Sequence, residues 1–91
     1  MANGKVPVSR ININDFIKEG GIAVLSLTCM KFTGRGDSWN VEVCTPAGAA
    51  TTPPSLVKDV RPVFEQMIRE GFQIDCVTKS GVRGILVLDQ G

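Results

Sequence analysis

The sequence contains no histidine and no tyrosine. This removes the side chain that most often moves protons near neutral pH, together with a phenolic acid. Cysteine is sparse: Cys29, Cys44 and Cys76, an odd number with no C-x-x-C spacing. A zinc ribbon or a secreted disulfide scaffold would show paired spacings, so three reduced, mostly buried thiols are expected, with no metal and no cofactor. One alternative stays open, because Cys29 and Cys44 flank a predicted hairpin nearly symmetrically and would then be cross-strand neighbours. The nine acidic residues are scattered singly, without an Asp-x-Asp pair or a calcium loop. On this inventory the chain is not expected to be an enzyme.

Net charge is also nearly absent. Ten basic against nine acidic side chains leave +1, a field too weak to pull a polyanion from a distance. No apolar run approaches the roughly 20 residues of a membrane span. Met1 to Arg10 is polar and lacks the apolar stretch of a signal peptide. The expectation is a soluble cytoplasmic protein (host cytoplasm if viral) with no membrane partner.

What is present is an ordinary globular balance: 91 residues, 43% hydrophobic and 21% charged. That is enough for one core, and small enough that self-association is a common aid to stability. The reading is a flexible arm over residues 1–10 and a single α+β domain over 11–91. Within it, the order α-β-β-α-β-β is expected, with two β-hairpins forming a mainly antiparallel four-stranded sheet.

The short helix is placed at about residues 15–19, with Asn14 as N-cap and Gly20-Gly21 as its stop. Residues 22–33 read as one long central strand, apolar on both parities. Gly34-Arg35-Gly36-Asp37-Ser38 is a hairpin tip, and Trp39, Val41, Val43 and Thr45 alternate along the returning strand. Leu56, Val57, Val60, Val63, Phe64, Met67 and Ile68 make a stripe at helical spacing, which predicts one long helix over about 55–70. Pro62 inside it implies either a kink near Lys58 or a later start, near Asp59. Phe72 to Thr78 and Val82 to Asp89 form the second hairpin around Lys79-Ser80-Gly81. Ile17-Lys18-Glu19-Gly20 and Ile68-Arg69-Glu70-Gly71 are a weak internal echo, each closing a helix before a strand.

Two features invite a functional reading. Lys31, Arg35, Lys79 and Arg83 lie in or beside the glycine-containing tips. There Gly36 and its neighbours would turn backbone amides toward an anion, with arginine forks beside them. With both tips at one end of the sheet, they would make a site for phosphate, nucleotide or RNA backbone. The plainer reading is that exposed turns favour charge for solubility. The Arg35-Gly36-Asp37 triplet matches the integrin-recognition tripeptide of adhesion proteins, but its composition is equally that of a tight turn.

The second feature is a surplus of apolar side chains. One long and one short helix leave part of the sheet uncovered, so Val24, with Met30, Phe32 and Trp39, is a candidate interface to a protein partner or a second copy. The expected function is therefore a small non-catalytic interaction protein that binds another macromolecule. A viral or mobile-element accessory inhibitor of a host system is one such setting. The alternative is a nucleotide, phosphate or RNA-backbone binding module.

Overall fold

The computed structural model describes residues 9–26, 29–45, 47, 49, 51 and 53–88. Most of the arm expected over residues 1–10 lies outside the described residues. The elements are β1 (Arg10–Asn12), α1 (Ile13–Glu19), β2 (Gly21–Leu25), β3 (Met30–Arg35), β4 (Ser38–Val43), β5 (Ser55–Val57), α2 (Arg61–Arg69), β6 (Ile74–Thr78) and β7 (Arg83–Val87). Together the strands form one seven-stranded mixed sheet in the order β1-β7-β6-β2-β3-β4-β5. Only β1 against β7 is parallel.

This overturns the expected four-stranded sheet under one long helix. The helix placed at residues 55–70 begins at Arg61 and runs for nine residues, with Pro62 in its first turn. Proline there gives up only an amide that has no intrahelical partner, whereas deeper in a helix it would orphan a carbonyl. The residues before it join the sheet. Val57 pairs with Trp39 and Leu56 with Asn40, so the front third of the apolar stripe is edge strand.

The long strand expected over 22–33 is also two strands. β2 and β3 pair antiparallel, with Ala23 opposite Phe32 and Leu25 opposite Met30. Odd positions of β2 and even positions of β3 therefore share one face. That accounts for apolar residues at both parities without a strand buried on both sides.

Both helices pack on this face. Phe16 of α1 and Phe64 of α2 are fully buried against Phe32 and Trp39. Phe64 stands edge-on to Phe32 and Trp39, with ring centroids 5.1 and 6.0 Å apart, and Phe16 lies 5.4 Å from Trp39. Such tilted and edge-on pairs match the quadrupoles of the rings. Ile11, Ile13, Leu25, Ile74 and Leu86 extend the core to the β1–β7 side. Trp39 has its one polar atom satisfied, since its indole N–H donates to the Gly36 carbonyl at 3.0 Å. Directly across from Trp39 sits Gly34, where a Cβ would come within 2.9 Å of the indole. The Ser38 carbonyl and the Trp39 Cα would be closer still, the latter at 2.6 Å, so the close approach of β4 at this point requires glycine.

The first helix starts earlier than expected. Asn12, not Asn14, is the N-cap, and its side-chain oxygen accepts from the Asn14 amide at 2.8 Å. The cysteine expectation is corrected as well. Cys29 and Cys44, with Cα atoms 5.4 Å apart, are joined by a disulfide that extends the β3–β4 ladder one residue past Met30 and Val43. Two of the three thiols are therefore not free, and Cys76 remains as a buried thiol.

Candidate functional site

The two hairpin tips do meet at one end of the sheet. β2 begins there at Gly21, paired with Gly34 on one side and Thr78 on the other. Arg35 and Lys79 face a shallow depression of about 590 Å3 that Gly34, Gly36, Asp37 and Ser38 also line. Gly36, at φ 61°, opens a two-residue turn between Arg35 and Ser38, a backbone state that favours glycine. The Arg35-Gly36-Asp37 triplet thus straddles an exposed tight turn.

An anion cradle needs free amides, and those of the tips are largely spent inside the fold. The Gly36 N–H donates to the Ile17 carbonyl at 2.7 Å and the Lys79 N–H to the Gly20 carbonyl at 2.9 Å. The Gly81 amide donates to the Thr78 carbonyl, and the Val82 amide to the Thr78 hydroxyl. At Ser80 the fold already supplies an anion. The Glu19 carboxylate accepts from the Ser80 amide at 3.0 Å and from its hydroxyl at 2.6 Å, which holds the Glu19 pKa below its ordinary value. These bonds pin α1 to both tips, so the amides serve the fold. Of the other cations singled out, Arg83 opens β7 on the far face of the sheet and Lys31 lies mid-strand on that same face, opposite Val24 and Glu42. The four cations do not form one cluster.

The candidate interface residues divide in the same way. Trp39 and Phe32 are buried at 0% and 2% exposure, inside the aromatic core, and Met30 is half-buried beside it. They support the sheet from within. Val24 lies on the opposite face.

That outer face is the surface sequence reasoning only glimpsed. Its register defines two rows. One runs Leu56, Asn40, Thr33, Ile22, Val77, Arg83 across β5, β4, β3, β2, β6 and β7. The next runs Glu42, Lys31, Val24, Asp75, Ile85, Arg10 from β4 to β1. Ile22, Val24, Val77 and Ile85 meet at the centre, in a wide depression of about 830 Å3 that Arg83, Asp75 and Gln73 help to rim. Ile22 is 36% exposed and Leu56 59%. Among the described residues both helices sit on the other side, and neither covers this strip. Ile22, Val77 and Ile85 were missed because each sits at the opposite parity from the core residues of its strand. What no local pattern gives is the strand order that brings Ile22, Val77 and Ile85 side by side with Val24.

No family model, curated protein or solved structure matches the chain.

The chemistry available at either surface is limited. Cys76 is the one free thiol among the described residues, and its pKa is pushed up to about 12 by burial, with the neighbouring Asp75 charge adding to the rise. Such a thiol stays protonated and makes a poor nucleophile. No helix of the described residues is long and apolar enough to cross a membrane.

Proposed function

We propose that the chain is a non-catalytic interaction protein whose working surface is the outer face of its sheet. The observation that carries this is the strip of Ile22, Val24, Val77 and Ile85, apolar at its centre and rimmed by Arg83, Asp75 and Lys31. An apolar centre inside a polar, charged rim is the anatomy of protein-binding patches. The protonated Cys76 and the absence of histidine and tyrosine from the sequence support binding over turnover. The Cys29–Cys44 bridge stands against the cytoplasmic placement expected from the sequence, because bridges persist in oxidising compartments.

The experiment compares affinity capture by three forms of the protein. The wild type is set beside an outer-face variant, Ile22→Lys with Val24→Lys, and a tip variant, Arg35→Glu with Lys79→Glu. Protein partners held by the wild type and the tip variant, and lost from the outer-face variant, are the expected result. Loss in the tip variant alone would overturn the reading and favour phosphate or nucleic-acid binding at the tips.

A further inference from the structure

We infer that the outer face binds a second copy of this chain, forming a face-to-face β-sandwich about a two-fold axis that runs along β2. The inference rests on the reading of that face as a binding surface and names its partner.

The first argument is topological. β2 is the middle strand of the seven, with three strands on each side. A two-fold axis along it stacks the sheet on itself strand for strand: β6 over the partner's β3, β7 over its β4 and β1 over its β5. A closed two-fold contact is the commonest form of self-association, because one patch satisfies both copies.

The second argument is charge. This axis keeps each row at its own height, so Ile22 and Val24 stack on their own counterparts. In the second row Asp75 and Lys31 lie on either side of Val24, one strand away each. Asp75 then comes over the partner's Lys31, and Lys31 over the partner's Asp75, giving two opposite-charge pairs around an apolar centre. Further out, β7 over the partner's β4 sets Ile85 over Glu42 and Arg83 over Asn40, with Arg10 one strand beyond over the partner's β5. Around the axis the face is self-complementary in sign. Packed sheets sit ~10 Å apart with strand directions within about 30° of each other, a gap that long side chains such as Lys31 and Arg83 span readily.

The third argument is area. Seven strands at roughly 4.8 Å spacing, with about five residues at roughly 3.3 Å rise, make a face of about 34 by 16 Å. Two such faces bury on the order of 1,100 Å2, just below the range of stable specific interfaces and in that of weak ones. A dimer dissociating in the micromolar range is expected.

Sedimentation equilibrium over a concentration series tests this, with thermal melting to show that each variant is folded. Asp75→Lys sets two lysines against each other in each of the two pairs, and Lys31→Glu sets two carboxylates against each other. Each variant alone should dissociate about tenfold more readily than the wild type. An equimolar mixture should recover the association of the wild type, because a mixed dimer restores both opposite-charge pairs, and native mass spectrometry should find one copy of each. Val24→Glu, which places two carboxylates on the axis, should be monomeric and find no rescuing partner among these variants. A mixture no more associated than its components would overturn the inference, as would a wild type that stays monomeric at millimolar concentration. A monomeric wild type whose outer-face variant still loses a protein partner would overturn the self-pairing and leave the proposed binding surface standing. A monomer with no such loss would remove both.

Discussion

Phe64→Ala is the substitution on which the fold's logic bears most directly. Phe64 is the buried anchor of α2, at 0% exposure, and its ring contacts Phe16, Phe32 and Trp39. Truncation removes the transfer free energy of a whole aromatic side chain and leaves a cavity where four rings met. Substitutions of that kind cost about 3–5 kcal/mol. The upper part of the range applies, because the cavity is walled by α1, β3 and β4, which the sheet holds apart. Stability near 0.05–0.15 kcal/mol per residue puts a chain of 91 residues at about 5–14 kcal/mol. The variant therefore keeps only part of its stability, and at the low end of that range it barely folds. Phe64→Leu, which refills most of the space, should lose less than half as much.

Trp39 is the only tryptophan in the chain and lies 6.0 Å from Phe64, so urea unfolding followed by its fluorescence reports on the same site. The expected result is a midpoint lowered in the order wild type, Phe64→Leu, Phe64→Ala, at an unchanged slope, with circular dichroism tracing the same transition. A loss below about 1 kcal/mol in Phe64→Ala, or a native tryptophan emission unmoved by the substitution, would refute the assignment of α2 to this face.

The remaining predictions concern the cysteines. The Cys29–Cys44 bridge closes a loop with a sequence separation of 15, for which chain entropy gives a ceiling of about 3 kcal/mol. Replacing both by serine should cost less than that, since β3 and β4 already hold the loop ends, and alkylation of the unreduced, denatured protein should modify Cys76 alone. Modification of all three cysteines without reduction would remove the bridge. Cys76 also sets a pH dependence. Its pKa rises from 9.0 to about 12 in the fold, so below pH 9 both states hold the proton and stability is unaffected. Between pH 9 and about 12 the unfolded chain releases it first, and stability falls. Cys76→Ala should flatten that alkaline limb in denaturation curves taken across the window, and an unchanged limb would assign it to other groups.

Much of the local chemistry was legible in the residues. Gly36 announced its turn and Gly20 the end of α1, because only glycine takes up those positive φ values without strain. Pro62 left open a kink near Lys58 or a start near Asp59, and the helix starts later than both, at Arg61. The larger architecture was not legible, and for one recurring reason. Short strands hide inside longer patterns of the wrong period. Leu56 and Val57 fit the helical stripe of Val60, Phe64 and Met67 as well as they fit an edge strand, and only the pairing with Asn40 and Trp39 decides between them. Arg10 to Asn12 is too short to carry an alternating signal, yet it closes the other edge by pairing with Ile85 to Val87. In both cases a non-local ladder overrides the local periodicity.

The faint echo in the sequence is clearest against this sheet. Ile17-Lys18-Glu19-Gly20 closes α1 before β2 and β3, and Ile68-Arg69-Glu70-Gly71 closes α2 before β6 and β7. The two α-β-β units meet where β2 and β6 pair antiparallel, with Ala23 opposite Cys76. Each helix packs on the same side of the sheet, and among the described residues neither covers the other side across the seam. The bare strip is therefore no accident of missing side chains. It follows from both helices packing against one face of a single sheet, which leaves the apolar strip of the other face within its charged rim.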